Sequence, residues 1–473
     1  MRAVLSVASE CAPLVKTGGL ADVVGALPAA LARQGWDMRV MLPAYPQVRA
    51  AVEPGPTVME EDDLFGGPGR VVRATAAGLQ LYLVDAPHLF EREGSIYLGA
   101  DRRDWPDNPE RFAALSWLAA RLAREGDGEW RPELAHGHDW QAGLMPLYLA
   151  RHVPTIMTVH NIAFHGLAPA DRRHWLRLPE AGFNADGYEY WGQVSALKAG
   201  LVHADRLTTV SPTYAEELQT PEFGMGLDGL IRHRAGALQG ILNGIDTEAW
   251  NPAMDPAIAG YDAPEGKVAA RRDLMIEMGL EEGTGPIACV VSRLTSQKGL
   301  DLLLEALPAL LERDGRLVLL GSGDAELEDA WRRMEEAHPT RVAVRIGYDE
   351  ALSHRIIAGS DAILIPSRFE PCGLTQLYGL RYGTVPVVAL TGGLADTVID
   401  ANPMALRSGV ATGLQFRPIT ALKLTNTLCR LCDLFDRPEL FREIQNNAMR
   451  QPVGWDASAA DYAALYAEVT AAP

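Results

Sequence analysis

Cysteine is scarce and shows no pairing pattern. Cys11, Cys289, Cys372, Cys429 and Cys432 are five in 473 residues, an odd and scattered set that makes no disulfide framework. That usage fits a reducing compartment, and a cytoplasmic protein is expected. Long apolar runs are also missing: no stretch of 18 apolar residues escapes a charge, so no membrane span is expected. The opening MRAVLSVASECAPLVK is interrupted by Glu10 and Pro13 where a signal peptide would continue, and it reads instead as a buried strand. Positive charge is in deficit. With 43 Lys and Arg against 61 Asp and Glu, the net charge is -18, which argues against a nucleic-acid surface. An anionic ligand would be met by a few local cations and loop amides. Tandem repeats, low-complexity tracts and a G-x-x-x-x-G-K-[ST] phosphate loop are all absent.

What is present is an ordinary globular composition, 48% hydrophobic and 22% charged, in a chain longer than one hydrophobic core usually supports. Two domains are expected. Short apolar runs alternate with amphipathic segments, which predicts an α/β fold with parallel sheets covered by helices on both faces. The strand candidates are AVLSVA, DMRVMLP, LQLYLVD, LAHGH, TIMTVH and RLTTVS in the first half. In the second half they are IACVVSR, GRLVLLG, VAVRIG, DAILIPS and PVVAL. Each half reads as doubly wound. The proline-rich stretch 251–266 is expected to be the linker, within a division into 1–245, 246–454 and a terminal helix over 455–473 that packs back on the first domain.

The hexapeptide TGGLAD occurs twice, at 17–22 and 391–396. Each copy sits where a strand or loop feeds a helix. Paired glycines there allow close backbone approach, while the N–H groups and dipole of a helix start favour an anion. A pair of tight turns into helices is the competing reading. Gly321-Ser322-Gly323 resembles a dinucleotide fingerprint only in part, because Glu326 replaces the third glycine and would oppose a pyrophosphate.

Two further segments carry charge at strand ends. In SRLTSQKG, Arg293 and Lys298 leave a strand where doubly wound folds bind ligands, and two cations there suit a diphosphate leaving group. In RFEPCGLTQ, Glu370 precedes a helix start at Gly373, Leu374 and Thr375. A carboxylate so placed accepts from sugar hydroxyls while nearby amides meet phosphate; the alternative is a capping acid. His136-Gly137-His138-Asp139 has two imidazoles and a carboxylate but no further ligands at zinc-like spacing, so no metal is expected. Cys429 and Cys432, a single C-x-x-C in a helical run, read as packing residues.

These segments resemble a family. KTGGLADVVGALP, HGHDWQAG, TVHNIAFHG, ILNGID, SRLTSQKGLDLL, RFEPCGLTQLYGLRYG and TGGLADTV, in this order over almost the whole chain, resemble the bacterial glycogen synthases and their plant starch synthase relatives. The resemblance implies the GT-B architecture, two Rossmann-like domains facing across a cleft. It implies retaining transfer of glucose from ADP-glucose to an α-1,4-glucan, with no cofactor and no metal ion. Carried over by motif, Lys16, Gly18, Gly19 and Asp22 approach the nucleotide diphosphate, and Arg293 and Lys298 contact its phosphates. Glu370 holds glucose hydroxyls. Asp139, His160 and Asn161 face the sugar, Asn243 lines the cleft and Tyr348 meets adenine. Cys372, Gly373, Leu374, Thr375, Thr391, Gly392 and Gly393 lie beside the donor. One departure is visible: Tyr378 stands where many retaining transferases carry a second glutamate.

Retention would ordinarily suggest a carboxylate pair about 5 Å apart, and the motifs nominate none. The implied route is departure of ADP from an oxocarbenium-like sugar with attack on the same face, the phosphate taking the proton. His160 then serves as a sugar ligand rather than a base. Three alternatives stay open at this point: a sibling transferase with another donor or acceptor, a phosphorylase dependent on pyridoxal phosphate, and a glucan-binding protein without catalysis.

Overall fold

A computed structural model describes residues 1–471. The chain divides into two compact units, Met1–Asn243 with the chain from Trp455 onward, and Gly244–Gly454.

The first unit holds strands β1 (Arg2–Val7), β2 (Trp36–Pro43), β3 (Glu53–Glu61), β4 (Gly69–Ala76), β5 (Leu79–Asp85) and β6 (Leu134–His138). It continues with β7 (Thr155–Val159), β8 (Leu167–Pro169), β9 (Glu189–Tyr190), β10 (Gln193–Ser195), β11 (Arg206–Thr209) and β12 (Leu238–Gly240). Nine of these make one sheet in the order β12-β11-β7-β6-β1-β2-β5-β4-β3. The pairs from β12 to β5 are parallel, and β6 and β7 are buried on both faces, as parallel strands usually are. The expected doubly wound pattern stops at β5, where β3 and β4 add an antiparallel hairpin. That hairpin escapes a sequence reading because β3, EPGPTVMEE, is an exposed edge strand with two prolines, which edges tolerate. A separate small antiparallel sheet, β8-β10-β9, follows β7.

The helix Gly19–Ala32 buries Leu20, Val23, Val24, Leu27 and Leu31 on one face, the spacing of an amphipathic stripe. Each such side chain contributes about 1.5–3 kcal/mol by leaving water. The terminal helix Asp456–Ala471 belongs to this unit. Trp455, Tyr462, Leu465, Tyr466 and Val469 pack with Val4, Leu27, Trp36, Leu134 and Ile156.

The second unit carries β13 (Ile287–Val291), β14 (Arg316–Gly321), β15 (Val342–Ile346), β16 (Ala362–Ile365), β17 (Val385–Ala389) and β18 (Leu414–Phe416). Its sheet, ordered β15-β14-β13-β16-β17-β18, is parallel throughout. The stretch 251–266, expected as the linker, is instead a packed part of this unit. Trp250 and Tyr261 lie in its core, and the buried Asp255 carboxylate accepts from Tyr382 Oη at 2.6 Å and lies 2.7 Å from His354 Nδ1. Prolines end regular structure there without freeing the backbone, because three side chains pin it. The units meet in sequence at Asn243/Gly244 and Gly454/Trp455. Among the described residues no helix is long and apolar enough to cross a membrane.

Candidate active site

The parallel part of each sheet reverses its strand order once, with β1 beside β6 in the first unit and β13 beside β16 in the second. Loops leaving the carboxyl ends of two such strands diverge and open a crevice between them. The segments KTGGLAD and HGHD leave one pair, SRLTSQK and RFEPCG the other.

In the first unit the chain leaves β1 through Glu10 and Lys16 and enters the first TGGLAD. Gly18 and Gly19 are exposed. A methyl group built on Gly18 would meet no atom within 4 Å. Two of the loop amides, expected to be open to an anion, are engaged. The buried Glu10 carboxylate accepts from Thr17 N, Thr17 Oγ1 and Gly18 N, the last at 3.2 Å, and from Tyr97 Oη at 2.6 Å. A fixed carboxylate therefore takes two of the loop N–H groups, and open access and the Lys16 ammonium remain for a ligand. Lys16 pairs with Asp22 at 2.7 Å, both partly exposed. Such a pair is worth only ~0.2–1 kcal/mol and is readily exchanged for a phosphate.

Asp139 follows β6 with φ +55°, a left-handed backbone that costs a non-glycine residue about 1–3 kcal/mol and persists only where neighbours over-determine it. Here they do: Asp139 N donates to Thr158 O, and Asp139 Oδ1 accepts from His160 N at 2.6 Å and Asn161 N at 3.3 Å. Burial pushes the Asp139 carboxyl up to about 7; those two N–H bonds oppose the rise and the Glu10 charge adds to it. His160, just beyond β7, is buried and held down to about 3 by burial, so it is a neutral hydrogen-bonding ring. Asn161 accepts from Ala163 N at 3.0 Å. Asn243 ends this unit buried, its Oδ1 without a partner among the described residues, a vacant acceptor-side contact that a sugar hydroxyl would satisfy.

In the second unit Lys298 Nζ bonds Glu370 Oε2 at 2.5 Å, and Ser367 Oγ donates to the same oxygen at 2.9 Å. The pair is mostly buried, with side-chain exposures of 18% and 9%. Truncating one member of such a pair costs about 3–5 kcal/mol. Arg293 differs. It is exposed and its guanidinium has no hydrogen-bond or ion-pair partner among the described residues. A staple joins the two loops: Arg368 makes a bidentate pair with Asp301 at 2.8 and 2.6 Å and donates to Ser296 O. Cys372 is buried, Gly373 has φ +74°, and Leu374 and Thr375 lead into the helix Thr375–Tyr382. Tyr348, 71% exposed beyond β15, donates to Glu350 at 3.1 Å. Tyr378 stacks on Trp250, ring centroids 3.6 Å apart.

The second TGGLAD is packed rather than open. Thr391, Gly392 and Gly393 are buried. A methyl on Gly392 would lie 2.0 Å from Glu370 O, and one on Gly393 would lie 2.3 Å from Cys372 O. Gly393 N donates to Glu370 O and Pro371 O. Its glycines thus let the helix Gly392–Thr397 press against the backbone that presents Glu370.

Glu10, Tyr97, Ser367 and the Arg368–Asp301 staple were not nominated by sequence. Glu10 figured there only as an interruption of an apolar run, and nothing local distinguishes Asp301 from any acid in a first helical turn. Arg368 sits inside RFEPCG, and that neighbourhood was the available signal.

Residues 3–233 match the family model described as starch synthase catalytic domain, and residues 272–418 match glycosyl transferases group 1. The chain is 60% identical over 475 residues to a glycogen synthase of Paracoccus denitrificans (strain Pd 1222), covering 100% of both chains. It is 58% identical to one of Jannaschia sp. (strain CCS1), covering 98% of this chain and 99% of that one. Among solved structures, the catalytic domain of starch synthase IV from Arabidopsis thaliana, bound to ADP and acarbose, superposes with a TM-score of 0.89 at 31% identity, covering 100% of each chain.

Proposed function

This chain belongs to the bacterial glycogen synthase family, retaining glycosyltransferases of the GT-B fold, and from that premise we propose how it acts: it transfers glucose from ADP-glucose to the non-reducing 4-hydroxyl of an α-1,4-glucan, in the cytoplasm and without a metal ion. The observation that carries the reading is the pair of loops leaving β13 and β16, where Arg293, without a partner among the described residues, shares a loop with Lys298 and Lys298 is bonded to Glu370.

The chemistry follows from charge. Cleaving the sugar–phosphate bond leaves negative charge on the diphosphate and positive charge on the sugar, and an enzyme accelerates it by meeting charge that develops only in the transition state. Arg293 meets the diphosphate first, since no other group competes for it. Lys298 shares its proton donors between Glu370 and the phosphate. Glu370, held by Lys298 and Ser367, accepts from glucose hydroxyls and faces the oxocarbenium-like ring with a fixed negative charge. Lys16 gives up Asp22 for the phosphates when the donor is bound, while Gly18 and Gly19 admit it. Asp139, His160 and Asn161 orient the sugar. The acceptor hydroxyl attacks the face that ADP leaves, and its proton passes to the departing phosphate.

The test is transfer of [14C]glucose from ADP-glucose onto glycogen, with UDP-glucose as competitor. Label in polymer, insensitive to UDP-glucose, is expected. Transfer from UDP-glucose alone, or no polymer label with intact protein, would contradict the reading.

A further inference from the structure

Strands β1, β6 and β7 are neighbours in the first sheet, and they set Ser6, His138 and His160 in a line. Ser6 Oγ lies 3.1 Å from His138 Nε2, and His138 Nδ1 lies 3.0 Å from His160 Nε2. All three residues are buried. Burial holds His138 well below the ordinary histidine value and His160 at about 3, so each ring is neutral, with one donor and one acceptor nitrogen. A chain of neutral imidazoles therefore has a direction.

Ser6 decides which. If its oxygen accepted from His138, its own proton would need a second acceptor, and its side chain has no other partner among the described residues. A buried donor left unmade costs about 1–3 kcal/mol. His136 does not divert the line. Its ring lies 4.2 Å from that of His138, but its nitrogens bond Tyr466 Oη at 2.7 Å and Thr158 Oγ1 at 2.6 Å. It acts as a wall against which His138 keeps its orientation.

We infer that Ser6 and His138 are positioning residues that fix the tautomer of His160: Ser6 O–H donates to His138 Nε2, His138 Nδ1–H donates to His160 Nε2, and His160 carries its own proton on Nδ1. That second nitrogen bonds no described residue and is not a buried orphan, so it opens to solvent beside Asp139 and Asn161. The half-site is thereby given a donor at this position, suited to a sugar oxygen, where the other tautomer would present a lone pair. Which nitrogen of a histidine holds the proton is set by the bond its other nitrogen makes, and a wrong tautomer can cost as much as a lost group.

The tautomer is independent of the proposed glucosyl transfer; only its kinetic consequence rests on that reading. Long-range 1H–15N correlation of the full chain labelled in histidine, with His160 assigned by its loss in His160→Gln, is expected to show His160 protonated at Nδ1 and bare at Nε2. A proton on Nε2 would overturn the inference, whatever the enzyme transfers. Ser6→Ala should mix the two tautomers and lower kcat about tenfold with donor KM changed less than about threefold, and Ser6→Thr, which keeps the hydroxyl, should restore both. An unchanged His160 spectrum in Ser6→Ala would overturn the relay, and unchanged kcat with altered tautomers would overturn its role in transfer.

Discussion

A methyl group on Gly18 would enter open space, whereas one on Gly393 would collide with Cys372 O at 2.3 Å. Both glycines belong to a TGGLAD at the start of a helix. The first copy keeps its glycines at the surface, with its amides tied back to Glu10. The second buries them against the 370–372 backbone and ties its amide to Glu370 O. One sequence thus supports two physical settings: in the first unit the Gly18 position stands open at the surface, and in the second glycine leaves room for the chain itself. A repeated motif specifies a local shape, and the surroundings decide what that shape is for.

The same contrast separates the cations, and the largest effect is expected there. Lys298 is bonded within the protein and the Arg293 guanidinium has no partner among the described residues, so Arg293→Ala should leave the ligand-free melting temperature unchanged and lower kcat at least ~100-fold, about 3 kcal/mol of lost transition-state stabilisation. Steady-state kinetics beside a melting curve checks it. A variant with near-normal kcat would remove the diphosphate from the β13/β16 crevice.

The acids of the two half-sites differ as well. Glu370 is balanced by Lys298, whereas Asp139 is balanced by a proton. Asp139 keeps that proton up to about 7 in the folded chain, against 3.8 as its ordinary value. Its contribution to stability is therefore complete below about 3.8 and is lost as pH rises through about 7. The buried histidines His136 and His160, held at about 3, act in the opposite direction, contributing above their unfolded value and failing as pH falls. They are common to the parent and Asp139→Asn, so they cancel in the difference. Denaturant unfolding at pH 5 and pH 8 should show the parent losing stability relative to Asp139→Asn by on the order of 2 kcal/mol; a parallel pH dependence would mean that Asp139 is ionised throughout.

A smaller effect is expected at the first loop. Gly18→Val places a branched side chain where the fold leaves room, so kcat/KM for the donor should fall about tenfold, ~1.4 kcal/mol, with kcat less affected. Unchanged donor use would show that the first loop is only a turn into its helix.

Much of this was legible before any coordinates. The parallel strands were readable because runs such as IACVV and the LVLL of β14 are apolar on both faces, and the helix starts because glycine pairs stand before amphipathic stretches. The β3–β4 hairpin was not, since an exposed edge strand lacks that signal. Residues 251–266 were misread because proline content reports the absence of regular structure and says nothing of burial; the side chains of Trp250, Asp255 and Tyr261 pin that segment through partners more than 90 residues away. Glu10 was missed for the same reason. Its role lies in accepting from Thr17, Gly18 and Tyr97, and only folding brings Tyr97 to it.

The difference between the two hexapeptides is tested most directly by adding one methyl group to each. Gly18→Ala and Gly393→Ala should be melted side by side without ligand. The expected result is Gly18→Ala within about 2 °C of the parent and Gly393→Ala lower by about 6 °C or more, as overpacking against backbone requires. Equal shifts in the two variants, or a Gly393→Ala that melts like the parent, would contradict the account that the glycines of the first copy stand open and those of the second are packed into the fold.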